Sequence, residues 1–252
     1  MWRFRVGLTF VAALAVLLMT SSVEAATSQT CSGGTIAAGT YSSLTVIGIC
    51  SIPTGTVNVQ GNVTIGSNAA LNAAVAGTTV NVSGGVQVGQ GAILVLGCSG
   101  DIGCTGTTSH NVGGSIAASQ AEAVILHNNT IGGSVSLQGG GGGTSCSPNS
   151  TLAAMLGFPS PPYMDISHNT IGGGVSVSNV QSCWSGVIGN HVGGNVSVTN
   201  NRYGDSDANE IVTNTITGSL SCSGNSPAAQ VGDSGGSPNQ VQGRKVGECA
   251  SL

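Results

Sequence analysis

Triplets alternating apolar, small polar and apolar residues recur along the chain, as Val135-Ser136-Leu137, Val175-Ser176-Val177, Val196-Ser197-Val198 and Leu220-Ser221-Cys222. A period of two predicts short strands with one buried face. Each triplet follows the same lead-in: an apolar residue, then Asn or His, then an apolar anchor before Gly. ISHNTIGGGVSVSN (166–179) is the clearest copy. The anchors Val112, Ile131, Ile171, Val192 and Ile216 lie 19, 40, 21 and 24 residues apart, and the gap of 40 reads as two repeats, one enlarged by an insertion. Plainer repeats precede them, with Val63-Thr64-Ile65 and Val86-Gln87-Val88 spaced by 23. Repetition at this interval predicts a solenoid, here an all-β, single-stranded parallel β-helix, right-handed by expectation.

Stacking the repeats turns sequence positions into columns. Three inward columns are predicted: Val135, Val175, Val196, Leu220; Leu137, Val177, Val198, Cys222; and, from an earlier strand, Leu126, Ile166, Val187, Ile211. A few aliphatic residues per repeat suffice only when neighbours cover both open faces. Asn129, Asn169, Asn190 and Asn214 form a further column two residues before the anchor, expected to bond along the stack rather than to form a site. Pairs such as Gly132-Gly133 and Gly193-Gly194 are expected to supply positive φ at turns. No stretch after residue 25 has helical periodicity.

The N-terminus changes the picture of where the chain works. A basic start (Met1–Arg5), an apolar run from Val6 to Met19 and small residues before Ala25 have the layout of a signal peptide over 1–25. The mature chain is then expected to be secreted, with no membrane association. Residues 26–53 read as an N-terminal cap and first coil, and 54–224 as the helix with an insertion at 139–163. The tail 225–252 loses the repeat and reads as a C-terminal cap. Beyond residue 25 only Arg202, Arg244 and Lys245 are basic. Nucleic acid and anionic membranes demand clustered Lys and Arg, so neither is an expected partner.

All eight cysteines lie beyond residue 25, which points to an oxidising compartment. Neighbouring repeats lie about 4.8 Å apart, within disulfide reach. The expected bridges are Cys31–Cys50 at the N-terminal end, Cys98–Cys104 around a tight loop, Cys146–Cys183 across the insertion and Cys222–Cys249 at the tail. No zinc-type Cys/His spacing occurs, and no cofactor or metal is implied.

Candidate chemistry is sparse. Asp165 and Glu210 fall in one outward column with Gly186 between them, roughly 10 Å apart. Inverting glycosidases space their acid and base about 6.5–9.5 Å apart. With Asp205 and Asp207 in the adjoining turn, this set resembles the carboxylate groove of pectin hydrolases. The competing reading is an Asp-rich turn, or a weak Ca2+ site of Asp205, Asp207 and Glu210. His110, His127, His168 and His191 sit at different offsets from their anchors and read as solvated turn residues. Phe158, Tyr163, Trp184 and Tyr203 hold most of the aromatic surface. They serve either as a satellite core for the insertion or as a stacking platform for a sugar ring.

The GGNVSV and GGSVSL repeats, SLSCSGNSPAAQ (219–230) and the closing NQVQGRKVGEC (239–249) resemble a group of secreted bacterial GGN-repeat proteins of unknown function. The resemblance implies export and a parallel β-helix, and carries over no catalytic residue. The section 57–96 also resembles polymer-forming bactofilins, which the signal peptide and cysteines speak against. The leading expectation is a secreted, non-catalytic structural, adhesive or glycan-binding protein, whose partners are extracellular polysaccharide or cell-envelope components. The second is a polysaccharide-active enzyme using Asp165 and Glu210.

Overall fold

The computed structural model describes residues 26–106 and 108–252, so the signal-peptide expectation over 1–25 lies outside the described residues. The chain is all-β, and every strand pairing is parallel. Most repeats contribute three strands, each pairing with its equivalent in the repeats before and after, so three long ladders run through the molecule.

The first ladder carries the anchors. Val112 pairs with Ile131, Ile131 with Ile171, Ile171 with Val192 and Val192 with Ile216. Ile131 meets Ile171 directly, so the gap of 40 holds one repeat and its insertion rather than two repeats. The second ladder stacks the alternating triplets in the predicted columns. Leu126, Ile166, Val187 and Ile211 align in the third. All these aliphatic residues are buried and meet in one core running the length of the chain. Burying such a side chain contributes roughly 1.5–3 kcal/mol, so each repeat depends on its neighbours.

Both ends extend the pattern further than their sequences suggest. Thr27–Cys31 already pairs with Tyr41–Val46, so the cap and first coil read over 26–53 join the second ladder from their first residues. In the tail, Gln240–Val241 pairs with Thr215–Ile216, and Lys245–Gly247 with Leu220–Cys222. The repeat therefore runs one turn past residue 224, and the last residues, with Cys249 and Leu252 buried, close over the core.

The asparagines explain how the turns are held. Asn129, Asn169, Asn190 and Asn214 each accept on Oδ1 or pass on Nδ2 to the next: the backbone N–H of Asn169 donates to Asn190 Oδ1 at 2.9 Å, and that of Asn190 to Asn214 Oδ1 at 2.9 Å. Each Nδ2 also donates to a third-ladder carbonyl, Leu96, Leu126, Ile166 and Val187 in turn. Asn239 continues the column at the C-terminal end. His110 takes the same role at the other end. Its Nδ1 accepts from Val80 N–H at 3.0 Å and its Nε2 faces the Ala73 carbonyl at 3.0 Å, so the neutral ring replaces an amide. Burial lowers its pKa from 6.5 to about 4, with the Ala73 bond opposing. A second column runs through Asn201 and Asn225 and ends on Glu248, whose carboxylate accepts both the N–H and the Nδ2 of Asn225.

The paired glycines do something other than expected. Neither Gly132-Gly133 nor Gly193-Gly194 has positive φ. A Cβ on Gly132 would lie 2.4 Å from the Gly113 carbonyl, and one on Gly193 2.4 Å from that of Gly172, so glycine is required by backbone packed on backbone. The left-handed turns belong instead to Asn68, Gln120, Asn179 and Asn200, with φ near 56°. Asn is among the residues that best tolerate this region.

The insertion contains an α-helix, Ser150–Leu156, where no helical period is readable. It has two turns, too few to display a period. Its ends are specified nonetheless: Asn149 caps the start by accepting from Leu152 N–H, and Gly157 ends it at φ 78°. Leu152 is fully buried against Ala70, Ile93, Val95, Ala123 and Ile125, the outward side chains of the third ladder. The helix thus roofs the earlier part of that ladder's outer face and leaves the later part uncovered.

Candidate functional site

Beyond the helix, the outer face of the third ladder is formed by Tyr163–Ser167, Trp184–Ile188 and Glu210–Val212. A cleft of about 520 Å3 opens there. Tyr163, Trp184, Asp165, Ser167 and Ile188 come from the ladder, Pro161 and Cys146 from the insertion, and Ile102 from the Cys98–Cys104 loop. His168, Asp205 and Ser234 stand at its turns. All four expected disulfides form. Cys146–Cys183 is itself part of the wall, which couples the insertion to the cleft.

Tyr163 and Trp184 occupy one register position on adjacent strands, and their rings meet edge to face, 6.1 Å between centroids and 87° between planes. Asp165 lies on the floor, 8 % exposed. Its Oδ2 is 2.7 Å from His127 Nε2, and its Oδ1 accepts from the Ser167 hydroxyl. His127 and Ser167 were not singled out as partners of this carboxylate. His127 follows the inward Leu126 on its strand and therefore points outward beside the next repeat's Asp165, so the strand period could have revealed the pair.

The expected column of Asp165, Gly186 and Glu210 is in register. The two carboxylates nonetheless do not share an open groove. The Trp184 ring lies over Gly186, where an added Cβ would stand 2.3 Å from it, and its indole N–H lies near enough to Glu210 to favour the ionised carboxylate. Glu210 is 1 % exposed and does not line the cleft, whereas Asp165 does. Burial, aided by the charges of Asp207 and Asp233, pushes Glu210 up to about 7 against the lowering effect of the Trp184 bond. Ser234 also donates to Glu210. Loss of surrounding water and the adjacent Asp233 hold Asp207 above its ordinary value.

The other candidates sort as follows. Asp205 is exposed on the cleft rim, its N–H bonded to the Cys183 carbonyl at 3.0 Å. Asp207 turns away to Asp233 N–H. Carboxylate oxygens of Asp207, Glu210 and Asp233 lie within 4.8 Å of one another, close enough for one cation to bridge, with Asp233 of the tail in the place expected for Asp205. Tyr203 is 7 % exposed and packs in the core, so it is not a binding surface. Phe158 sits against Gly103 of the disulfide loop, outside the cleft. Among the histidines, His168 and His191 are exposed as expected, whereas His110 and His127 are buried.

The cleft lining combines the aromatic surface of Tyr163 and Trp184 with the carboxylates of Asp165 and Asp205 and the hydroxyls of Ser167 and Ser234, a set chemically suited to a polar ring. No family model, curated protein or solved structure matches this chain. The paired cysteines place it in an oxidising environment.

Proposed function

We propose that the chain is a secreted right-handed parallel β-helix of the GGN-repeat type, and that it binds a saccharide of the cell envelope or its surroundings without cleaving it. The three ladders then correspond to three faces, and the cleft lies on the one face that an insertion half covers. The observation that carries the binding reading is the half-buried Tyr163–Trp184 pair lining a cleft of about 520 Å3 beside Asp165 and Asp205. Aromatic faces complement the C–H surfaces of sugar rings, while carboxylates and hydroxyls meet their polar edges. Glycan-array binding should be saturable, should fall about tenfold or more in Trp184→Ala, and should release no reducing ends. Absence of binding to every glycan would sink the reading.

Hydrolysis is the second reading, favoured by the register of Asp165 with Glu210 and by a Glu210 held near neutrality, as a general acid requires. It needs Trp184 to swing away and admit substrate between the two carboxylates. Reducing ends released by the native chain and abolished in both Asp165→Asn and Glu210→Gln would establish it.

A further inference from the structure

We propose that the cleft selects a saccharide carrying a free ammonium group, such as a unit of a deacetylated glucosamine polymer. This inference rests on the saccharide-binding reading above and names the class of sugar. Two carboxylates line the cavity, Asp165 on the floor and Asp205 on the rim, and among the described residues no lysine or arginine does. Asp207 and Asp233 gather just beyond Trp184 and add negative charge, whereas Glu210 beside them, pushed up to about 7 by burial, is largely protonated in mildly acidic buffer. His127 Nε2 lies 2.7 Å from Asp165, while Asp205 has no cationic partner among the described residues. An anionic uronate would therefore meet like charge at close range in a partly desolvated pocket, and a cation would be drawn in.

Aromatic surface reinforces the choice. A cation over an indole or phenol face gains attraction from the ring quadrupole, and Trp184 and Tyr163 form one wall. Asp165 Oδ1 already accepts from Ser167 and Oδ2 faces His127 Nε2, yet a carboxylate oxygen accepts more than one hydrogen bond. An ammonium has three donors, which suits it to bridge a floor and a rim carboxylate. An N-acetylated amine has lost the charge and added bulk, so it should discriminate the site well.

Calorimetry of the full chain at low salt in mildly acidic buffer tests the inference. The ligands are a glucosamine oligosaccharide, its fully N-acetylated form, a galacturonate oligosaccharide and a lysine oligopeptide of equal charge. The amine-bearing sugar should bind at least about tenfold tighter than the acetylated one, weaken with added salt, and lose about tenfold in Asp205→Asn. Asp205 is exposed, so that variant keeps the fold. Equal affinity for the acetylated sugar overturns the inference but leaves saccharide binding standing, as does preference for the uronate. A lysine peptide that binds as tightly as the glucosamine oligomer overturns it too, since charge alone would then suffice. Binding to none of the sugars overturns both this inference and the proposed function.

Discussion

Asn190 touches more of the molecule's organisation than any aliphatic neighbour of its size. It accepts from the N–H and the Nδ2 of Asn169 and donates to the Ile166 carbonyl and Asn214 Oδ1. Removing the amide strands several buried groups at once, each costing roughly 1–3 kcal/mol. Asn190→Ala should therefore destabilise by about 3–5 kcal/mol in chemical denaturation, far more than the loss of a surface amide. His110 offers the complementary test. Its pKa falls from 6.5 to about 4 on folding, so its contribution is complete above 6.5 and lost as the pH drops towards 4. Because asparagine fills this role elsewhere in the column, His110→Asn should fold, match the native chain near neutrality and show a flatter loss of thermal stability between those values. Glu210 has the opposite sign. Its pKa rises from 4.5 to about 7, so stability is complete below 4.5 and declines as the pH rises through 7. Glu210→Gln should abolish that decline in melts across the same window.

At the scale of elements, the sequence revealed what depends on strict periodicity. The columns of Val135, Val175 and Val196 were legible because a strand's two-residue alternation and a fixed repeat length leave one register that buries them all. Cys31–Cys50, 19 residues apart, follows from the same spacing, whereas Cys146–Cys183, 37 apart, is expected as a clamp across the insertion. What departs from periodicity was hidden. A helix of two turns shows no period, so only Asn149 and Gly157, its cap residues, hinted at Ser150–Leu156. The final repeat was masked because Lys245 and Gly247 stand where aliphatic residues stood before. Asn239 and Val241 still mark it, 25 residues after Asn214 and Ile216. The site was half legible: register aligned Asp165 with Glu210, but the side-chain course that lays Trp184 over Gly186 is set by packing no periodicity encodes. The roofing insertion also makes a prediction. Cys146–Cys183 closes a 37-residue separation, for which the chain-entropy model gives about 4 kcal/mol. The double variant Cys146→Ser/Cys183→Ser should melt lower and lose saccharide affinity, while the core ladders keep their native circular dichroism.

Over the whole molecule, the core and the cleft are divided between the two sides of one ladder. Inward side chains of the third ladder join the long core, and its outward side chains first hold the insertion helix and then form the cleft. The other two ladders carry small polar residues at outward positions, with Thr130 and Ser136 exposed to solvent. Charge is unevenly spread: Asp207, Glu210 and Asp233 collect at the end of the cleft face, and Arg244 and Lys245 lie on the last repeat of the second ladder.

The chain has two tryptophans, Trp2 and Trp184, so in a Trp2→Phe chain the indole on the cleft wall is the sole emitter of its kind. Titrating that chain with the glucosamine oligosaccharide while recording its emission tests the account most directly. A saturable shift in intensity and wavelength, tracking the calorimetric isotherm and weakened in Asp205→Asn, is the predicted result. Emission that stays constant while calorimetry reports bound sugar would place the ligand elsewhere on the molecule and contradict the assignment of this face.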